Sequence, residues 1–220
     1  MAKQADKVND KRTYRRRGDG QPRRDSRNEI LAAAARVFGR STVQGATMEE
    51  IAVEAGVRSP SIYYYFENKD AIAEELATYS VHESAVFAIS VADGPGSPIE
   101  RLRRLLLHHI EHLLSSPFDL WFLVGAQRAA GDAGPYLDEY GQWRQTIASL
   151  LEAAVAAGEI EPCDPGFTTQ LVVGCVLAVL EYRHFELPVD AVATVEFAIR
   201  GAGFRSAATP KRPRANRTPS

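Results

Sequence analysis

The sequence predicts an all-α fold, and three observations carry that prediction. Three Ser/Thr-x-x-Glu capping boxes stand along the chain, at Ser26–Glu29, Thr47–Glu50 and Ser97–Glu100. In each, a hydroxyl and a carboxylate can satisfy the orphan N–H groups of a helix start. Apolar residues recur at three- and four-residue intervals through most of the chain, and nowhere does the period-two alternation of a half-buried strand appear.

Taken in order, the first box opens a helix at Ser26, where order is expected to begin. Ile30, Ala33, Ala34, Val37 and Phe38 form its apolar stripe, and Gly45 breaks the pattern. The second box opens a short helix with Met48, Ile51, Ala52 and Ala55 inward, ended by Gly56. Ser59 then caps a third helix, with Pro60 at the first helical position, where its missing N–H costs nothing. Asn68 caps a long helix running to about Val91. Ser97 and Pro98 open the next, carrying Leu102, Leu105, Leu106, Ile110 and Leu113 on one side. "FDLWFLVGAQRAA" reads as a shorter helix. Gly134-Pro135 starts a long one with Leu137, Tyr140, Ile147, Leu150, Leu151 and Ala154 in register. The segment "FTTQLVVGCVLAVLEYRHF" is apolar nearly all round and is expected to be buried on more than one side. "VDAVATVEFAIRGAGF" supplies the last helix.

Composition narrows the functional classes. The chain of 220 residues is 45% hydrophobic, enough for a substantial core. No run is expected to reach the ~20 apolar residues of a membrane span, and the charged start does not read as a secretory signal. Cys163 and Cys175 match no metal-ligand spacing and suggest a reducing, cytoplasmic setting. The net charge of −2 conceals an asymmetry: residues 1–69 hold 14 Lys and Arg against 9 Asp and Glu, whereas residues 70–204 hold 7 against 19. A basic front on an acidic body suggests an anionic partner for the front, although solvated tails account for part of the excess.

Two short helices joined by a glycine-containing turn form a helix-turn-helix pattern. Within "GVRSPSIYYYFENKD", helical spacing places Ile62, Tyr63 and Phe66 on one face, toward the core. Ser61, Tyr64 and Tyr65 fall on the other, so Tyr64 and Tyr65 are the expected working pair. Exposed phenols beside Ser61 and Lys69 suit contacts to a nucleic acid.

The stretches "ILAAAARVF", "GATMEEIAVEAGV" and "SIYYYFENKDAI", within Asn28–Ile72, resemble the DNA-binding domain of the tetracycline-repressor (TetR) family of bacterial transcription regulators. About 45 of the 220 positions carry the resemblance. It departs at Arg58, where the family often has Ser or Thr; here Ser59 follows one position later. The resemblance implies phosphate contacts from Thr47, Tyr65 and Lys69. It implies base-edge contacts from Ser61, Tyr64 and Arg58, with Ser59 also at the DNA and Pro60 able to touch a thymine methyl. Thr47 as a simple cap and Lys69 as a solvated helix end are the plain alternatives. Arg15, Arg16, Arg17, Arg23 and Arg24 precede the first helix like a minor-groove arm, or serve as a solvated tail adding nonspecific attraction.

The expected organisation is a disordered basic arm (1–22), a helix-turn-helix DNA-binding domain of three helices (23–69), a larger helical ligand-binding and dimerisation domain (70–205), and a disordered basic tail (206–220). The family pairs its last two helices across a two-fold axis. The resemblance therefore implies a homodimer interface at Phe167, Leu171, Gly174, Cys175, Ala178 and Phe197; the plain alternative is the central helix of a monomer. Tyr79, His82, Trp121, Phe122, Tyr140 and Trp143 are candidates to line a small-molecule pocket, with Arg128 or a histidine meeting an anionic group. The family also implies that the helix starting at Asn68 moves when an effector binds.

His108 and His112 have the i, i+4 spacing of two metal ligands, but no third ligand is evident, and no metal or cofactor is expected. No GxSxG elbow, phosphate-binding glycine loop or activated cysteine appears. The expected function is a ligand-responsive repressor that binds a double-stranded, pseudo-palindromic operator. The rival is an all-helical enzyme or binding protein in which the helix-turn-helix is only a packing unit.

Overall fold

A computed structural model describes residues 23–125 and 137–203, with side chains from residues 26 and 138 onward in the two stretches. The basic arm, the basic tail, Arg128 and the Gly134-Pro135 helix start lie outside the described residues. Eight helices are labelled here in chain order: α1 (Arg23–Gly45), α2 (Met48–Glu54), α3 (Ser59–Ile62), α4 (Lys69–Ala92), α5 (Pro98–Ser115), α6 (Leu137–Ala156), α7 (Pro165–His184) and α8 (Ala191–Gly201). A further helical turn covers residues 122–125. Among the described residues the only β-type pairing is an isolated bridge at Ile160.

The local signals built what they specify in most places. Thr47 and Ser97 close complete capping boxes with Glu50 and Glu100, Asn68 caps α4 through Ala71 N–H, and Asp164 and Asp190 cap α7 and α8. The expected stripe of α1 is fully buried, from Ile30 to Phe38. Ser26, however, lies inside α1 rather than at its cap, because the helix already runs from Arg23. Ser59 is likewise not a cap. Arg58 occupies that position without a side-chain hydrogen bond, and Ser59 and Pro60 form the first helical turn.

α1, α2 and α3 pack as one unit. Glu54 of α2 accepts from Arg36 Nε and Arg40 Nη2 of α1, both at 2.7 Å. These two hydrogen bonds hold the Glu54 carboxyl below its usual range. Gly56 turns the chain toward α3 at φ 67°, a left-handed value that a Cβ disfavours. α4 runs from this unit into the body, burying Ile72, Ala73 and Leu76 near its start and Ser84, Ala85 and Ala88 further on. There it packs against α5 and α6. Arg183, near the end of α7, donates to the carbonyls of Leu113, Ser116 and Phe118 and fixes the α7 terminus to the end of α5.

Two expectations about α7 need correction. Pro165–His184 is, by length and composition, apolar enough to cross a membrane, contrary to the reading that no run is. Nor is it buried on more than one side within the single chain: Val172, Val173, Val176, Val179 and Leu180 face the core, whereas Phe167, Leu171 and Tyr182 are exposed. One face is a core face; the other is apolar and uncovered in the single chain.

Candidate nucleic-acid interface

The chain from Gly56 to Phe66 presents one surface and buries the other. Ile62 and Phe66 are inside, with Phe66 also under the guanidinium of Arg27 at 4.4 Å. Arg58, Pro60, Ser61 and Tyr64 are exposed and Ser59 is half-buried. The Arg58 carbonyl accepts from Ser61 N–H at 2.8 Å, but its side chain makes no capping hydrogen bond and is exposed at the head of α3.

The tyrosines differ from the expectation. Tyr63 is 55% exposed and Tyr64 69%, whereas Tyr65 is half-buried and packs against the core. The reason is that regular helix ends at Ile62. Tyr63–Tyr65 continue as turns, with Tyr64 N–H on Ser61 O and Tyr65 N–H on Ile62 O. The i, i+4 bookkeeping that placed Tyr63 inward assumed a helix that does not continue. Tyr64 and Tyr65 meet edge to face at 5.2 Å, so the inner ring props the outer one. Tyr63 therefore joins the candidate surface, and Tyr65 remains at its edge.

Two expected phosphate contacts have their donors engaged within the protein. Glu50 Oε2 accepts from both Thr47 N–H at 2.8 Å and Thr47 Oγ1 at 2.9 Å. Lys69 donates its ammonium to Gln44 O at 2.7 Å and Ala46 O at 2.9 Å. Those carbonyls follow the break in α1 at Thr42, which has φ 63°, and lie where the chain turns toward α2. Lys69 thus ties the first residue of α4 to the α1–α2 turn. No sequence signal announces this, because the partners are more than twenty positions away.

In the body, the proposed pocket residues separate into three groups. Tyr140 and Trp143 border a small, partly open cavity of about 30 Å³ together with Ser80, His109, Val176 and Leu177. Tyr79 packs on Phe118 and His112, while His82 lies outside the cavity, paired with Glu139 at 2.8 Å. Phe122 packs on Phe38 of α1, and Trp121 lies against Gly39 and stacks on His184 of α7. Trp121 and Phe122 therefore join the helix-turn-helix unit to the body rather than line the cavity.

The histidines have separate surroundings, and His108 Nε2 is buried without a hydrogen-bond partner. His108 stacks on Phe87 at 4.1 Å, and the ring nitrogens of His112 meet Tyr79 O at 2.9 Å and the Glu83 carboxylate at 3.1 Å. Among the described residues no group of three His, Cys, Asp or Glu side chains could hold an ion. His109 bonds Ser84 Oγ at 2.8 Å. Burial first, then the neighbouring His112 and His108, pushes its pKa down to about 3.

The residues expected at a dimer interface share one surface. Leu171, Gly174, Cys175, Ala178 and Phe197 border an open groove of about 570 Å³ between α7 and α8, and Phe167 is exposed on the same helix. Phe197 is 71% exposed, large for an aromatic side chain in water. Partial burial pushes the Cys175 thiol up, away from the reactive thiolate form.

Residues 30–76, from the buried stripe of α1 to the second turn of α4, match the family model of bacterial regulatory proteins of the tetR family. The HTH-type transcriptional regulator AcrR of Shigella flexneri is 27% identical over 154 residues, covering 64% of this chain and 71% of AcrR. The HTH-type transcriptional repressor KstR2 of Mycobacterium tuberculosis is 29% identical over 85 residues, 39% of this chain and 42% of its own length. The crystal structure of Mycobacterium smegmatis AmtR superposes with a TM-score of 0.68 at 27% identity, covering 86% of this chain and 90% of AmtR.

Proposed function

This chain belongs to the tetR family of bacterial regulatory proteins, and from that premise we propose that it is a cytoplasmic repressor that binds operator DNA as a homodimer and releases it when a small molecule enters the body. The observation that carries the reading is the surface at the end of the helix-turn-helix: Arg58, Pro60, Ser61, Tyr63 and Tyr64 all face outward around a buried Ile62. A packing unit has no use for two exposed phenols and a guanidinium at one tip. A major groove does: hydroxyls and a guanidinium read base edges, and proline and ring carbons meet thymine methyls. Residues 23–69 act as the reader, and residues 70–205 as the body that senses and pairs.

The uncovered α7–α8 face supports the dimer. A two-fold axis through it covers Phe167, Leu171 and Phe197 with their own copies, an isologous contact. Two readers so joined engage half-sites one helical turn or a multiple apart, about 34–36 Å for adjacent major grooves. Thr47, Tyr65 and Lys69 sit at the margin of the surface. Thr47 reaches a phosphate only if Glu50 swings aside, and Lys69 only with a donor its two carbonyls leave over.

The test is a gel-shift and footprint on the DNA upstream of the chain's own gene, with sedimentation at micromolar protein. A protected pseudo-palindrome bound by a dimer is expected. A monomer without specific protection overturns the reading and favours the all-helical enzyme or binding protein.

A further inference from the structure

Resting on the reading of this chain as an operator-binding regulator, we propose that Arg58 is its specificity-determining residue and selects one guanine in each half-site. Two observations meet at this residue. Arg58 holds the N-cap position of α3 in extended backbone, at φ −75° and ψ 140°, with its side chain exposed and making no capping hydrogen bond. A Ser or Thr in that position would turn its hydroxyl back onto the helix start. Here Pro60, in the first turn, has no N–H to be capped, and the Arg58 carbonyl takes Ser61 N–H at 2.8 Å. The start of α3 makes no use of the guanidinium.

The second observation is what the neighbouring basic groups do. Five basic side chains are described between Ser26 and Lys69, and four of them are engaged within the protein. Arg36 and Arg40 hold Glu54, Arg27 pairs with Glu75, and Lys69 sits on the carbonyls of Gln44 and Ala46. Arg58 is the fifth. It is also the only charged residue from Gly56 to Phe66.

Donor and acceptor chemistry turns that placement into a base preference. The hydroxyls of the exposed Ser61, Tyr63 and Tyr64 each donate and accept, so they suit either member of a base pair. Pro60 offers ring carbons, which a thymine methyl satisfies. A guanidinium has donors only, set in a planar fork, and finds no partner on an edge that presents a donor. Guanine is the base whose major-groove edge carries two acceptors side by side, O6 and N7. Adenine has an amino group where guanine has O6, and cytosine presents an amino group. Of the exposed groups at this tip, Arg58 is the one that tells bases apart by hydrogen bonding.

Binding-site selection from a randomised duplex library, with the full chain, finds the preferred sequence directly. The parent should return a motif with a guanine fixed in each half-site. Arg58→Ala should return the same motif with that guanine lost. Changing the guanine in one half-site should cost the parent about 5–140-fold and the variant nothing. Deazaguanine, which puts C–H in place of N7, should weaken the parent at that position and leave Arg58→Ala unaffected. N7 faces the major groove, so an arginine of the N-terminal arm in the minor groove would not give this response. Because α3 has no side-chain cap to lose, Arg58→Ala should melt with the parent. Arg58→Ser, whose hydroxyl can cap, is a second variant for the same selection. Three results would each overturn the proposal. The motif is unchanged in both variants; the parent is indifferent to deazaguanine; or all sequences weaken alike, with the log–log salt slope smaller by about 0.9 per protomer, as for a phosphate contact. Failure of the regulator reading looks different: the parent then selects no motif at all, and the assignment of Arg58 falls with it.

Discussion

Lys69→Met separates two roles for one ammonium. In the structure it is held by Gln44 O at 2.7 Å and Ala46 O at 2.9 Å, so α4 begins tied to the end of α1. Methionine keeps the apolar stem and removes the charge. A hydrogen bond from a charged donor is worth about 1.5–3 kcal/mol, but Lys69 is half-buried and water replaces part of what is lost, so the pair together should cost about 1.5–3 kcal/mol. For a chain of this size that is a fall in Tm of roughly 3–12 °C. Denaturant unfolding and thermal melts measure it directly. The salt dependence of operator binding supplies the second readout. Loss of a phosphate contact lowers the slope of log K against log salt by about 0.9, whereas loss of an internal strut leaves the slope unchanged and lowers affinity at every salt concentration. Unchanged stability with a slope smaller by about one would refute the strut and assign the ammonium to the DNA backbone.

Four further outcomes are expected. Tyr64→Ala and Tyr63→Ala should each cost about 1–3 kcal/mol of operator binding and relax the sequence preference if these rings read bases, whereas Tyr65→Phe weakens all sequences alike; competition gel-shifts with mutated half-sites distinguish them. Gly174→Asp adds a side chain whose Cβ meets nothing within 4 Å in the single chain. The protomer should therefore fold while sedimentation shows the dimer split and operator binding lost, and an intact dimer sinks the proposed interface. His109, held neutral by burial, has a folded pKa below its unfolded value, so its contribution is present above about pH 6.5 and is lost as pH falls toward 3. Stability should drop by up to about 1.4 kcal/mol per pH unit across that window, and a His109→Gln profile of the same steepness would contradict this. Glu54, whose pKa is lowered by Arg36 and Arg40, stabilises the α1–α2 contact above its unfolded pKa and loses that effect as pH falls through the folded one. Glu54→Gln should abolish that acid-side dependence in unfolding curves taken below about pH 4.5.

Much of this molecule is written locally. A capping box spans four residues, so Thr47–Glu50 and Ser97–Glu100 could be read and were formed as read. The stripe on α1 and the Leu102–Leu113 face of α5 follow from helical period alone and are buried. Ser26 shows the limit of a local signal: a capping pattern marks a possible start, and α1 begins upstream of it. Tyr63 shows another, since its direction depended on whether α3 outlasts Ile62, and a four-residue helix does not have the cooperativity to decide that by itself.

What the sequence determined by itself was the helical class, most helix starts, the core-facing stripes and the helix-turn-helix with its family resemblance. All of these rest on residues within about one or two turns of each other. The tertiary structure decided the rest, because the partners involved are far apart in the chain. It placed Lys69 on the carbonyls of Gln44 and Ala46, moved Trp121 and Phe122 from the pocket to the junction with α1, and left the Trp143 indole N–H buried without an acceptor. It also split the all-round apolarity of α7 into a face the chain covers and a face it leaves uncovered. Hydrophobicity records that a residue avoids water; only packing decides whether the same chain or a second copy shields it.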